Sequence, residues 1–338
     1  MGKPGRTLSL VGQPGGVDAS SYHRMYQPFR QLARRSRHLV QIPPPSEKGT
    51  QLPDVPDLLD AAVDVYVAQR PASPQMARLW EAVAGQVARV YEIDDDLLRA
   101  HPSQNIQPLT ESQQHHVGYL IATADLVTVT TPSLAEVVSQ LNPRVAVLPN
   151  VIHERLLTMT RPRRDRVTIG WGGGSSHLMD VMSVAEPLRE VLEAHPQADM
   201  HWIGNDFSPL TGGRGRYTMW HRDVFRYYAN IDWDVAIAPL ADHVFNYAKS
   251  HLRALDAAAL GIPVIAQDLP PYREFVADGV TGYLVRTAGE WRARLTELVN
   301  DEAARQEMGA KARALAADYT IQEHWKRWES AYELAAGG

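Results

Sequence analysis

The sequence predicts an α/β protein with two consecutive domains, each built on a doubly wound parallel sheet. Its 338 residues exceed the usual size of one compact domain. Short β-rich runs alternate with amphipathic helical stretches from one end to the other, which is typical of doubly wound sheets. Most of these runs are continuously apolar, as expected for parallel strands that are buried on both faces.

The β-rich runs fall into two series, separated by a polar stretch near residues 150–166. The first series contains the predicted strands Thr7–Gly12, His38–Ile42, Val63–Arg70, Ala88–Asp94, Leu126–Thr131 and Val145–Asn150. The second contains the predicted strands Val167–Gly172, Met200–Gly204, Tyr217–Trp220, Val235–Leu240, Pro263–Gln267 and Gly282–Val285. We therefore expect an N-terminal domain at residues 1–155 and a C-terminal domain at residues 156–318. Helix 319–335 is expected to pack back on the first domain through an aromatic stripe of Trp325, Trp328 and Tyr332.

Composition excludes several classes of protein. Apolar residues make up 44% of the chain and charged residues 22%, as in ordinary globular proteins. The absence of cysteine excludes disulfides and thiolate chemistry, and it fits a cytoplasmic location. No apolar run is long enough to span a membrane. The net charge of −5 argues against a surface devoted wholly to nucleic acid.

Two basic clusters have two interpretations each. Solvated surface is favoured, and a site for an anionic acceptor is the alternative. The clusters are Arg30, Arg34, Arg35 and Arg37, and Arg161, Arg163, Arg164 and Arg166.

A glycine-rich turn follows the first strand of each series. Because glycine lets a backbone approach a phosphate closely, both turns are candidate sites for a phosphate-bearing ligand, and a plain tight turn is the alternative. Arg24, after the first turn, is a candidate anion clamp. The first turn contains Gly15 and Gly16, and the second contains Gly172, Gly173, Gly174, Ser175 and His177.

Three consecutive carboxylates, Asp94, Asp95 and Asp96, lie at the end of the predicted strand Ala88–Asp94. Asp94 and Asp95 are candidate catalytic or substrate-orienting groups. An Asp-x-Asp metal clamp and a simple helix N-cap are the alternatives.

The segment from Phe245 to Ile265 carries a predicted helix with a charged stripe. At 100° per residue, Lys249, Arg253 and Asp256 fall on one stripe. The two cations suit a nucleotide diphosphate, and the carboxylate suits a ribose diol. An exposed ion pair is the alternative. Asn246 and Ser250 are predicted donor contacts beside them.

This segment resembles the C-terminal domain of retaining GT-B glycosyltransferases in the glycosyltransferase family 4 group. The motifs that carry the resemblance are Asp234–Leu240, Lys249–Ala266, Gly279–Val285 and Val147–Ile152. It implies two Rossmann-like domains that face each other across a donor-binding cleft. It further implies that Asp256 contacts the donor ribose and that Lys249 and Arg253 contact the diphosphate or the sugar.

The resemblance also implies that Gly15 and Gly16 approach the donor phosphates from one domain, and that Gly172–Ser175 line the same cleft from the other. Two departures stand out. The family has two glutamates eight residues apart, whereas this sequence has Ala248 and Asp256 at those positions. The run Asp94–Asp96 replaces a strand end that contains histidine in the family.

The sequence thus predicts sugar transfer from a UDP- or GDP-sugar to an acceptor hydroxyl, with retention and without a metal or other cofactor. The acceptor is left open between protein, glycan, lipid and modified nucleic acid such as a modified DNA base, as is the oligomeric state. Three alternatives stay open: a sugar-nucleotide epimerase, a non-catalytic sugar-nucleotide-binding protein and a metal-dependent single-domain transferase.

Overall fold

The computed structural model describes residues 6–44, 52–70, 73–99 and 109–337, and these form two compact units. The first unit comprises the described residues up to Asn150 together with residues 321–337, and the second comprises Val151–Thr320. Within the described ranges, each unit holds a six-stranded sheet in which all paired strands are parallel. The predicted fold class is confirmed, and a single-domain transferase with one sheet is excluded.

The first unit is a doubly wound sheet in the order β2-β1-β3-β4-β5-β6. Its strands are β1 (Ser9–Gln13), β2 (Leu39–Gln41), β3 (Val65–Gln69), β4 (Ala88–Ile93), β5 (Leu126–Val129) and β6 (Val145–Val147). The helices between them are α1 (Ala19–Ser21), a π-helical turn (Tyr22–Tyr26), α2 (Gln27–Arg35), α3 (Val55–Asp60), α4 (Pro74–Ala82), α5 (Glu111–Thr123) and α6 (Pro132–Val138). Because β2 and β3 lie on opposite sides of β1, the winding direction reverses between β1 and β3.

The second unit repeats this arrangement in the order β12-β11-β10-β7-β8-β9. Its strands are β7 (Val167–Gly172), β8 (Ala198–Ile203), β9 (Arg216–Thr218), β10 (Val235–Ala238), β11 (Val264–Gln267) and β12 (Gly282–Val285). Its α-helices are α7 (Leu178–Met182), α8 (Ala185–Ala194), α9 (Val224–Ala229), α10 (Val244–Tyr247), α11 (Leu252–Ala259), α12 (Pro270–Arg273), α13 (Ala288–Asn300) and α14 (Glu302–Ala316). Its 3-10 turns are Glu154–Thr158, Ser175–His177, Ser208–Thr211 and Ala317–Tyr319. Here the winding direction reverses between β7 and β10.

The chain ends in α15 (Ile321–His324) and α16 (Lys326–Gly337), which belong to the first unit. Trp328 and Tyr332 on α16 are buried, and the Tyr332 ring lies 5.8 Å from that of Phe29 on α2. Two of the three aromatic residues in the predicted stripe therefore pack in a core. Trp325 lies between the two helices and is half-buried.

Aromatic clusters anchor the core of each unit. In the first unit, the Trp80 ring lies 6.3 Å from the rings of both Tyr66 and Tyr91. In the second, Trp171, Trp202 and Phe207 form a triangle with centroid distances of 5.1–5.9 Å. Within the described ranges, no helix combines the length and the apolar character that crossing a membrane requires.

Candidate functional site

The carboxyl ends of β7 and β10 define the first candidate site. In open parallel sheets, ligands bind beyond the carboxyl ends of the strands, at the point where the winding direction reverses. β7 and β10 are paired neighbours at this point in the second unit. The predicted glycine-rich turn after β7 and the segment that leads from β10 into α10 both start at this edge.

Close packing explains the glycines of the turn after β7. A Cβ atom at Gly172 would lie 2.3 Å from the Tyr227 hydroxyl, and one at Gly173 would lie 2.7 Å from the Trp171 ring. Nothing lies within 4 Å of a Cβ built at Gly174. The turn therefore presses its first two residues against aromatic side chains, and it leaves Gly174 and the following Ser175 at an open edge.

Arg253, in the first turn of α11, reaches back to this glycine turn. Its Nε donates to the Gly172 carbonyl at 3.2 Å, and its Nη1 donates to the Tyr272 hydroxyl at 3.4 Å. The guanidinium lies 5.3 Å from the centroid of the Trp171 ring. Within the described parts of the chain it forms no ion pair with a carboxylate. The structure thus holds a cation against the glycine turn and leaves its charge available to an anion.

The predicted position of Lys249 is wrong. α11 begins at Leu252, and α10 ends at Tyr247, so Lys249 and Ser250 lie in the connection between the two helices. Lys249 does not share a helical stripe with Arg253 and Asp256. Its Nζ lies 4.7 Å from the centroid of the Phe245 ring. Its charge nevertheless acts on His177, so it belongs to the same electrostatic environment.

His177 ends the short 3-10 turn after the glycines and contacts Asp180. Its Nδ1 lies 2.7 Å from Oδ2 of Asp180, and 17% of its side chain is exposed. Burial, with the positive charges of Arg253 and Lys249, lowers the pKa of His177 to about 4 despite the hydrogen bond to Asp180. The imidazole is therefore neutral near neutral pH.

Asp180 is a buried residue of this site that the sequence did not single out. Its Oδ1 accepts hydrogen bonds from the Ala241 backbone N–H and from Nδ2 of Asn246, both at 2.8 Å. Burial acts to raise its pKa, but the hydrogen bonds from His177 and Ala241 lower the pKa below its ordinary value. Asp180 connects the turn after β7 to the segment after β10, so no local spacing in the sequence could reveal it.

Asn246, one of the predicted donor contacts, links Asp180 to the segment that follows β10. Its side chain is buried, and its Nδ2 donates to Asp180 and, at 2.9 Å, to the Ala241 carbonyl. Both amide protons are used inside the fold, so Asn246 supports the site instead of offering N–H groups to a ligand.

Asp256 lies one turn after Arg253 on α11. Its Oδ1 accepts a hydrogen bond from the Tyr228 hydroxyl at 2.7 Å. Burial raises its pKa to about 7, although Tyr228 and Arg253 act in the opposite direction. A carboxyl group with this pKa is protonated in part near neutral pH and can both donate and accept hydrogen bonds.

The carboxyl ends of β1 and β3 define the equivalent point in the first unit. A Cβ atom at Gly15 would lie 2.9 Å from the Gln69 carbonyl, which requires glycine there. The Gly15 amide donates to Oε1 of Gln69, and the Gly16 amide donates to Oγ of Ser21, both at 3.0 Å. Both amides have internal acceptors. These hydrogen bonds favour the interpretation of this segment as a plain tight turn over that of a phosphate-binding loop.

The acidic run after β4 lies at the same edge and is neutralised by arginines. Arg70 at the end of β3 pairs with Asp94 and also with Asp95, at 2.8 Å. Arg99 pairs with Asp96, whose Oδ1 also accepts from the Arg99 backbone N–H at 3.2 Å. Asp96 thus acts within a local turn. An Asp-x-Asp clamp would hold a cation between Asp94 and Asp96, whereas here Asp94 pairs with Arg70 and Asp96 pairs with Arg99.

Arg24 is a second correction, because it is not an anion clamp. The side chains of Arg24 and Glu92 are both 0% exposed, and they pair through Nε and Oε1 at 2.7 Å and through Nη2 and Oε2 at 3.2 Å. Nη1 donates to the Leu148 carbonyl and to Asn150. All three guanidinium nitrogens are used in the core, so Arg24 cannot reach a ligand.

Several arginines of the two basic clusters are held by the fold. Arg35 donates to the Gln322 carbonyl, and Arg37 pairs with Glu333 on α16. Arg161 donates to the Trp233 carbonyl, Arg164 pairs with Asp232, and Arg166 pairs with Asp199. These contacts favour a structural interpretation over a polyanion site.

His38, Glu329 and Glu333 place potential metal-ligand atoms within 4.8 Å of one another. Nδ1 of His38 accepts the Leu8 backbone N–H at 3.1 Å, which leaves the proton of a neutral imidazole on Nε2. Nε2 faces Glu329 at 3.6 Å and Glu333 at 3.3 Å. The proton therefore occupies the position that a metal would need, and the trio is better described as a contact between the β2 region and α16.

Comparison with known proteins shows what the chain is similar to. Residues 251–315, which include Arg253 and Asp256, match the family model for glycosyl transferases group 1. No curated protein matches the sequence. The fold is similar to sucrose-phosphate synthase from Thermosynechococcus elongatus (TM-score 0.68, 14% identity, 98% of this chain and 100% of that chain).

Two further structures are similar over nearly the whole chain. They are HepE from Anabaena in complex with UDP (TM-score 0.63, 15% identity, 96% and 100% covered) and the catalytic domain of starch synthase IV from Arabidopsis thaliana bound to ADP and acarbose (TM-score 0.66, 11% identity, 99% and 100% covered). By contrast, the match to TarM from S. aureus spans 58% of that chain's length. The family match thus covers residues 251–315, and the structural similarities show that the chain shares the fold of these proteins.

Proposed function

We propose that the chain transfers a sugar from a UDP- or GDP-sugar to an acceptor hydroxyl, with retention at the anomeric carbon. The observation that carries the proposal is Arg253, a cation held against the glycine turn where the second sheet reverses its winding direction. Arg253 also lies in the segment that matches the family model. HepE is bound to UDP and starch synthase IV to ADP, which supports a nucleoside diphosphate as the class of ligand.

The chemistry requires stabilisation of a diphosphate leaving group. The bond between the anomeric carbon and the diphosphate oxygen breaks, a bond from the same carbon to the acceptor oxygen forms, and the acceptor hydroxyl gives its proton to the leaving diphosphate. Negative charge develops on the leaving oxygen, and preorganised cations and N–H groups can stabilise it. In the proposal, Arg253 and Lys249 supply positive charge. The backbone of Gly172–Ser175 approaches the diphosphate closely, and Asp256 binds the ribose. These groups make a divalent metal unnecessary in the proposed reaction.

Asp94 and Asp95 stay proposed catalytic groups of the first unit. Their side chains are 10% and 26% exposed beside Arg70, at the carboxyl edge of their sheet. In the proposal they orient the acceptor hydroxyl.

A sugar-nucleotide-binding protein without transfer activity is the second candidate. Ala248, which stands in place of the first glutamate of the family motif, is fully buried and carries no polar group. This candidate predicts donor binding without product.

A donor screen tests both candidates. The purified chain is incubated with UDP- and GDP-sugars and with protein, glycan, lipid and modified-DNA acceptors, while release of nucleoside diphosphate is measured. Transfer predicts release that depends on an acceptor, and NMR of the product then reports retention. Donor binding without release would support the second candidate, and conversion of the donor sugar without an acceptor would identify an epimerase.

A further inference from the structure

We infer that His177, held in one tautomer by Asp180, is the hydrogen-bond acceptor that recognises a hydroxyl group of the donor sugar. This inference rests on the proposed function and adds a residue for sugar recognition to it. It also assigns Asp180 as a positioning residue that acts through His177.

The hydrogen bonds of Asp180 fix the proton on His177. Oδ1 of Asp180 already accepts from Ala241 and Asn246, and an ionised carboxylate has no proton to donate. Its Oδ2 can therefore only accept from His177 at 2.7 Å. The single proton of the neutral imidazole must lie on Nδ1, which leaves a lone pair on Nε2.

Nε2 is the unusual group of this site. Within the described residues it has no hydrogen-bond partner, and the ring retains some exposure, 17% of the side chain. The charges that act on the ring most strongly, apart from Asp180, are the cations Arg253 and Lys249. Cations and backbone amides attract phosphate oxygens, but the lone pair on Nε2 repels phosphate oxygens. A lone pair in these surroundings instead suits a hydroxyl donor.

The geometry also explains how Asp180 would affect recognition. In Asp180→Asn, the amide oxygen must stay with the two donors, Ala241 and Asn246. The amide NH2 then faces Nδ1 of His177, which must become an acceptor. The proton moves to Nε2, and the acceptor at the site becomes a donor.

Nitrogen-15 NMR of histidine tests the tautomer without any need for activity. The His177 signals are assigned by their absence in His177→Gln. We expect the Nδ1–H tautomer in the wild type and in the exposed control Asp165→Asn, and the Nε2–H tautomer in Asp180→Asn. An Nε2–H tautomer in the wild type, or no change in Asp180→Asn, would overturn the inference.

Binding measurements test the recognition step. Titrations compare UDP with UDP-glucose, and GDP with GDP-mannose. His177→Phe keeps the ring beside Trp171 but removes the acceptor, so affinity for the matching nucleotide sugar should fall about tenfold, as for one lost hydrogen bond. Affinity for the nucleoside diphosphate should change less than about twofold, and His177→Gln, which keeps an acceptor oxygen, should restore part of the loss.

The outcomes separate this inference from the proposed function. An equal loss for the diphosphate and the nucleotide sugar, or no loss for either, would reject sugar recognition by His177 and leave the proposed transfer intact. A wild-type protein that binds none of the four ligands would reject the proposed function itself. His177→Phe decides the question even if Asp180→Asn does not fold.

Discussion

At the scale of single residues, the second unit places Arg253 beside groups such as His177 and Asp256, whose pKa values are shifted by burial. Arg253 lacks a carboxylate partner within the described residues, whereas Arg24 and Arg70 are paired with Glu92 and with Asp94 and Asp95. Residue type alone could not separate these arginines. Their partners lie far away in sequence, as for Arg24 and Glu92 with a separation of 68.

Arg253→Ala tests the available cation. Removing one charge that stabilises the leaving diphosphate should lower turnover on the order of a hundredfold or more. The measurement is the steady-state rate with the donor found in the screen. The matched control is Arg292→Ala, an exposed arginine paired with Glu190, which should keep wild-type turnover. A near-normal rate in Arg253→Ala would remove this residue from the mechanism.

His251 predicts how stability depends on pH. Its ring is buried, stacks on Phe275 at 4.9 Å and has no hydrogen-bond partner for either nitrogen within the described residues. Burial lowers its pKa to about 4, below the value of about 6.5 for an unfolded histidine. The unfolded chain therefore binds the extra proton more readily, and the free energy of unfolding should fall as pH drops from about 6.5 towards about 4.

His251→Phe should make this decline shallower, since the variant cannot take up that proton. Urea unfolding followed at several pH values between these limits measures the slope. His177, with a pKa lowered in the same way, should account for part of the slope that persists. Parallel curves for the wild type and the variant would contradict a neutral buried His251.

At the scale of elements, the glycine turn after β7 is shaped by the aromatic residues behind it. Gly172→Ala would bring a Cβ to 2.3 Å from the Tyr227 hydroxyl, so it should lower the free energy of unfolding by about 1–3 kcal/mol. Removing that hydroxyl in Gly172→Ala/Tyr227→Phe leaves ring contacts at 3.2 and 3.4 Å and should restore most of the loss. Chemical denaturation measures both variants and the single Tyr227→Phe control. Equal stability of Gly172→Ala and Gly172→Ala/Tyr227→Phe would show that the clash lies elsewhere.

The elements were also the part most accessible from sequence. Central parallel strands are buried on both faces and form continuous apolar runs. Every predicted strand is present, and Val167–Gly172 and Gly282–Val285 have the predicted bounds. The prediction for Lys249 was wrong because a helical stripe assumes an unbroken helix. The chain instead leaves the helical conformation between Tyr247 and Leu252. Asp180 could not be predicted from the sequence because its hydrogen-bond partners come from separate segments.

At the scale of the whole molecule, the proposed function assigns binding of the nucleotide part of the donor to side chains of the second unit. The reaction should then proceed without a divalent metal. We expect turnover in excess EDTA to match turnover with added Mg²⁺ or Mn²⁺. Loss of activity in EDTA, with recovery on addition of metal, would contradict the proposed role of Arg253 and Lys249 as the main stabilising charges.

A crystal structure of the chain with UDP or GDP bound tests the central claim most directly. We predict that the diphosphate lies at the carboxyl ends of β7 and β10, within hydrogen-bond distance of the Arg253 guanidinium and beside Gly172–Ser175. A diphosphate bound away from both Arg253 and this turn would contradict the account.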